Sequence, residues 1–123
     1  MATQIADLWG GFEPAAVRTP VSILRQQAAL LGEKTKHLVQ ARVVTQTNIS
    51  DFFHSFRLVV PALDDYTYEL FSVHHGVDLY PVIAYGEARP LKTEDEFVEW
   101  LRAKLSSEAT KRIIGNLMAQ AAG

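Results

Sequence analysis

Cysteine is missing from this chain altogether. Its absence excludes disulfides, thiolate metal ligands and cysteine nucleophiles together. Apolar runs are all short, far below the roughly 20 residues that a membrane-spanning helix needs. Met1 to Gly10 include Asp7 and have neither a basic start nor a continuous apolar stretch, so no export signal is expected and the cytoplasm is the expected compartment. Charge of one sign is also lacking: 12 Lys and Arg stand against 14 Asp and Glu, for a net charge of −2. The densest basic groups, Lys34 with Lys36 and Lys111 with Arg112, form no stripe, which disfavours nucleic acid as a partner. The glycines build neither a GxGxxG fingerprint nor a phosphate-binding loop, and no serine sits in a GxSxG elbow. No cofactor is expected, and an enzyme is the less favoured class.

What is present suffices for a folded domain. With 123 residues, 48% of them apolar, the chain can bury about two-thirds of its unfolded surface without staples. Residues 1–18 read as an arm, because Gly10, Gly11 and Pro14 interrupt any period. Residues 19–123 read as one domain. Its first helix is expected at 20–31, with Thr19 as N-cap, Pro20 in the first turn, and Val21, Leu24, Ala28 and Leu31 as the apolar stripe. Gly32 is the expected left-handed stop.

From Lys36 to Tyr85 the composition turns to Val, Thr, Phe and Tyr, with turn signals about every dozen residues. Four strands are expected, at 37–47, 52–61, 66–75 and 78–85. Their short connections force antiparallel neighbours and a meander. In the second strand Phe52, His54, Phe56, Leu58 and Val60 share the face that should meet helices. Helical periodicity returns after Pro90. Thr93 and Glu96 form a capping box ahead of Phe97, Trp100, Leu101 and Leu105. A last helix, capped by Ser106 or Ser107, runs to about Ala121 with Ile113, Ile114, Leu117 and Met118 as its stripe. The expected fold class is therefore α+β: a four-stranded antiparallel meander packed on one face by helices, in the order arm, α, ββββ, αα.

Two functional expectations follow. The first is a small non-enzymatic interaction module, of adaptor, inhibitor, immunity or chaperone-like type, working with a protein partner or by self-association as a homodimer. Its candidate contact residues are Trp9 and Phe12 on the arm, Tyr66 and Tyr68 on the third strand, and Ile113, Leu117 and Met118 on the last helix. Each has an ordinary alternative: the arm aromatics tuck onto the domain, the tyrosines pack across strands, and the last two helices cover the sheet between them. The second expectation is a small-ligand or metal site at one end of the sheet. A hairpin centred on Asp64 and Asp65 places His54 opposite His74 or His75, only one of which shares its face, with Asp78 as a further ligand.

Overall fold

The computed structural model describes residues 4–123; the first three residues of the expected arm lie outside that range. Helix α1 (Pro20–Lys34) is capped by the Thr19 hydroxyl, which accepts from the Ser22 backbone N–H at 3.2 Å. The helix does not stop at Gly32. Gly32 lies buried inside it, and the space a Cβ would fill is occupied by the Gln40 side chain, whose Oε1 would be 2.8 Å away. The glycine therefore serves close approach rather than a left-handed turn.

The chain reverses instead through Lys36 and His37, both with positive φ (54° and 64°). Thr35 holds that reversal together: its buried hydroxyl accepts from the Val39 N–H at 3.1 Å and donates to backbone carbonyl oxygen. Strand β1 (Gln40–Thr47) consequently starts three residues later than its composition suggests.

Strands β2 (Phe52–Val60), β3 (Tyr66–His75) and β4 (Ile83–Ala84) complete one antiparallel sheet in the order β1-β2-β3-β4, the expected meander. The second hairpin turns through a short 3-10 segment, Pro61–Leu63, followed by Asp64 and Asp65 in left-handed conformation. Short polar side chains tolerate that region best after glycine. A bulge between Phe56 and Arg57 then shifts the pairing by one residue, so that Phe56 faces Phe71 whereas Arg57 faces Glu69.

β4 is far shorter than the expected 78–85. Leu79 has φ 73°, and Pro81, which follows a cis peptide bond, has no N–H to give to a ladder. The backbone recovers extended pairing only at Val82, bridged to Leu91, and at Ile83 and Ala84 against His74 and Val73.

Helices α2 (Glu94–Leu105) and α3 (Glu108–Ala122) begin at Thr93 and Ser107, whose hydroxyls accept from the Glu96 and Thr110 N–H groups. Glu94, Asp95 and Glu96 occupy the positive end of α2. The core lies between one sheet face and all three helices. It joins Phe56, Leu58, Val60, Phe71 and Val73 of the sheet to Ile23, Leu24 and Ala28 of α1, Phe97 and Leu101 of α2, and Leu117 of α3. Leu58, Val60, Leu24 and Phe97 are fully buried, which places the expected face of β2 inward. Phe56 and Phe71 stack at 5.0 Å, with Trp100 edge-on to Phe71 at 5.1 Å. Among the described residues no helix is long and apolar enough to cross a membrane.

Candidate functional site

The sheet does bring two histidines together. The bulge and the five-residue turn put His54 directly opposite Val73 rather than opposite a histidine, and His75 becomes its diagonal neighbour on the same, helix-facing side. Their Nε2 atoms are 2.8 Å apart and the rings stack with centroids 4.9 Å apart. Both side chains are buried.

The protons in this pair follow from its neighbours. His75 Nδ1 lies 2.7 Å from the Gly76 carbonyl oxygen, which can only accept, so Nδ1 carries a proton. In the neutral ring Nε2 of His75 is then a bare acceptor, and His54 Nε2–H donates to it. That leaves His54 Nδ1 bare, and the Thr45 hydroxyl donates to it at 2.9 Å. The resulting chain, Thr45 to His54 to His75 to Gly76, satisfies every ring nitrogen without a net charge. Burial, reinforced by His75 and then by Arg25, pushes the His54 pKa down to about 4.

His74 points to the opposite sheet face, as strand alternation requires. There it stacks on Phe53 at 5.2 Å and lies 3.8 Å from Asp51. Asp78 is exposed in the turn after Gly76 and forms no ion pair with either ring. Among the described residues no three His, Asp or Glu side chains converge as metal ligands. Chemically the pair is closed, since each ring nitrogen already has a partner. On the open face Ser55 donates to Glu69 and accepts from Arg57 Nε at 3.0 Å, which ties β2 to β3 beside a shallow hollow of about 190 Å³.

The candidate contact residues separate into two groups. Trp9 and Phe12 do not tuck onto the domain: they are 79% and 75% exposed and pack on one another at 5.7 Å. Tyr66 and Tyr68 are exposed at the start of β3. Leu117, by contrast, is buried in the core, and Ile113, Ile114 and Met118 are half-buried against it. The broad stripe of α3 is thus largely consumed within the chain, because α2 and α3 cover the sheet together.

One feature escapes periodicity. Between the sheet and the three helices a groove of about 390 Å³ remains, floored by Phe56, Leu58, Leu70 and Leu101. Arg18, Lys34 and Arg102 line it and no acidic residue does. The one available signal is a second stripe on α1, since Ile23, Gln27, Leu30 and Lys34 follow at spacings of four, three and four.

The arm's root is fixed where the groove begins. The Arg18 backbone N–H donates to Glu94 Oε1 at 2.8 Å and its Nε to Oε2 at 2.9 Å, while the Tyr80 hydroxyl donates to the Arg18 carbonyl at 2.9 Å. These bonds hold the Glu94 carboxyl below its ordinary pKa, and burial raises that of Tyr80 to about 12. Beyond Arg18, residues 4–17 form neither helix nor strand. No family model, no curated protein and no solved structure matches this chain.

Proposed function

We propose that this chain is a protein-interaction module whose docking element is the N-terminal arm. The observation that carries the reading is the exposure of its apolar side chains: Ile5 77%, Leu8 84%, Trp9 79%, Phe12 75% and Val17 49%. Single exposed apolar residues are ordinary, but five within thirteen positions of one segment mark a surface that is covered in use. Trp and Phe supply large contact area for few rotatable bonds, which suits them to anchoring. Each buries about 150–250 Å² when covered. At about 25 cal/mol per Å² the pair contributes a gross stabilisation on the order of 7–12 kcal/mol. That is comparable with the roughly 4–15 kcal/mol lost on association, so the two rings alone give little surplus and the exposed Ile5 and Leu8 add apolar area beside them.

The test is quantitative affinity capture with the wild-type chain and with a Trp9→Ala/Phe12→Ala variant. The expected result is a stoichiometric protein, foreign or a second copy, retained by the wild type and lost by the variant. The variant's melting temperature should stay unchanged, because neither ring touches the core. Equal capture by both chains would place the contact elsewhere.

A second reading, a metal or small-ligand activity at this end of the sheet, narrows to the facing Nε2 atoms of His54 and His75, because His74 lies on the other sheet face and Asp78 stands in the exposed turn. Thermal stabilisation by zinc or nickel that is lost in His54→Ala would support it. No metal-dependent shift in the wild type would remove it.

A further inference from the structure

The arm and the groove are complementary in apolar character and charge. The arm offers an aromatic wedge, Trp9 on Phe12, flanked by Asp7 and Glu13, and residues 4–17 contain no basic side chain. The groove offers an apolar floor edged by Arg18, Lys34 and Arg102 with no acidic residue in its lining. In a chain with slightly more acids than bases, both one-sided distributions call for a partner of the opposite sign. Arg18 and Arg102 have carboxylate neighbours, Glu94 and Glu99, which lie outside the lining. Lys34 has no ion-pair partner among the described residues.

The arm does not fill its own groove: neither Trp9 nor Phe12 lines it, and both stay about three-quarters exposed. Its direction is set at the root, where Arg18 is held by Glu94 and by the Tyr80 hydroxyl, and Pro14 stiffens the connection beyond. Phe12 lies six residues from Arg18, a reach of roughly 20 Å when extended. Arg18 itself lines the groove, so the arm is rooted at the groove's edge, and a second copy related by a twofold axis near Arg18 would present its arm within that reach.

We propose that a second copy of this chain is the occupant: two chains exchange arms reciprocally, each seating its Trp9–Phe12 wedge in the partner's groove between α1, α2 and the sheet. Such an isologous contact uses both complementary surfaces twice and closes on itself. The inference rests on the reading of the arm as the interaction element and names what it binds.

Sedimentation or light scattering across a concentration series tests it with three chains: wild type, Trp9→Ala/Phe12→Ala, and Leu30→Glu. Leu30 lies on the groove lip and is half exposed, so the last variant alters the groove without entering the core. Circular dichroism and melting confirm that each variant is folded. The wild type should dimerise, and each variant should self-associate roughly a hundredfold more weakly, as loss of an interface anchor does. Mixing the two variants should restore partial association, because one arm–groove contact survives in the mixed pair. Raising the salt concentration should weaken the wild-type dimer.

A wild type that stays monomeric at every concentration overturns the exchange. If it still captures a foreign protein through Trp9 and Phe12, the arm reading stands and only its occupant is wrong. A dimer that survives either variant unchanged also overturns it, since the contact then lies elsewhere. So does a mixture of variants that shows no association beyond either alone.

Discussion

Acid should destabilise this fold through His54. In the unfolded chain the imidazole has its ordinary pKa of 6.5, whereas in the folded chain burial beside His75 and Arg25 lowers it to about 4. Between those values the unfolded state binds a proton that the folded state refuses, so stability falls as pH falls through that window and is constant above it. At pH 5 the unfolded ring is about 97% charged and the folded ring about 9%, which gives a loss of about 2 kcal/mol relative to pH 8. Below pH 4 the loss levels off at about 3 kcal/mol. The perturbation is His54→Gln, which removes the titration and keeps a donor for His75 Nε2. Urea unfolding followed by tryptophan fluorescence, with Trp100 packed between Phe71 and Phe97 as reporter, would give stability at pH 8, 6 and 5 for both chains. Groups away from the pair are common to both chains, so the difference between the two profiles reports on the pair. The wild type should lose about 2 kcal/mol more than the variant between pH 8 and pH 5. Parallel pH profiles, within about 0.5 kcal/mol, would refute the neutral hydrogen-bonded chain from Thr45 to Gly76.

Two further changes probe the frame that holds both histidines and groove. Leu58→Ala removes a fully buried side chain from the centre of β2 and should cost about 2–5 kcal/mol in chemical unfolding; a loss below about 0.5 kcal/mol would mean that the strand faces the other way. Gly115→Ala sits in the interior of α3, where an added Cβ meets nothing within 4 Å, and should stabilise by about 0.5–1 kcal/mol; a lower melting temperature would show that α3 packs more closely there than its surroundings indicate.

The architecture was legible because its signals are local. Thr93 and Thr19 cap the helices they were expected to cap, alternation along β2 put Leu58 and Phe56 inward, and the meander followed from short connections. The departures are equally local but depend on tertiary partners. Gly32 reads as a stop until Gln40 is placed against it, and β1 starts late because the Thr35 hydroxyl holds Val39 in a turn. Leu79 and Pro81 shorten β4 although their neighbours Tyr80, Val82 and Ile83 favour strands. The bulge at Phe56/Arg57 left no mark in the composition, yet it decides that His54 meets His75 diagonally.

The groove was illegible for a different reason. Its lining draws on Leu30 and Lys34 of α1, Phe56 and Leu58 of β2, Leu101 and Arg102 of α2, and Thr110 and Ile114 of α3. Periodicity shows which face of each element is apolar, but not whether its neighbours approach closely enough to cover that face. Here α2 and α3 cover the sheet and bury Leu117, so the last helix has little apolar surface to offer a partner. The same packing leaves the groove open beside Leu30, where Lys34 has no ion-pair partner among the described residues while Arg18 and Arg102 pair with carboxylates outside the lining. The exposed apolar side chains of residues 4–17, with Asp7 and Glu13 and no base among them, carry the opposite balance, a contrast that shows only once the elements lining the groove are assembled.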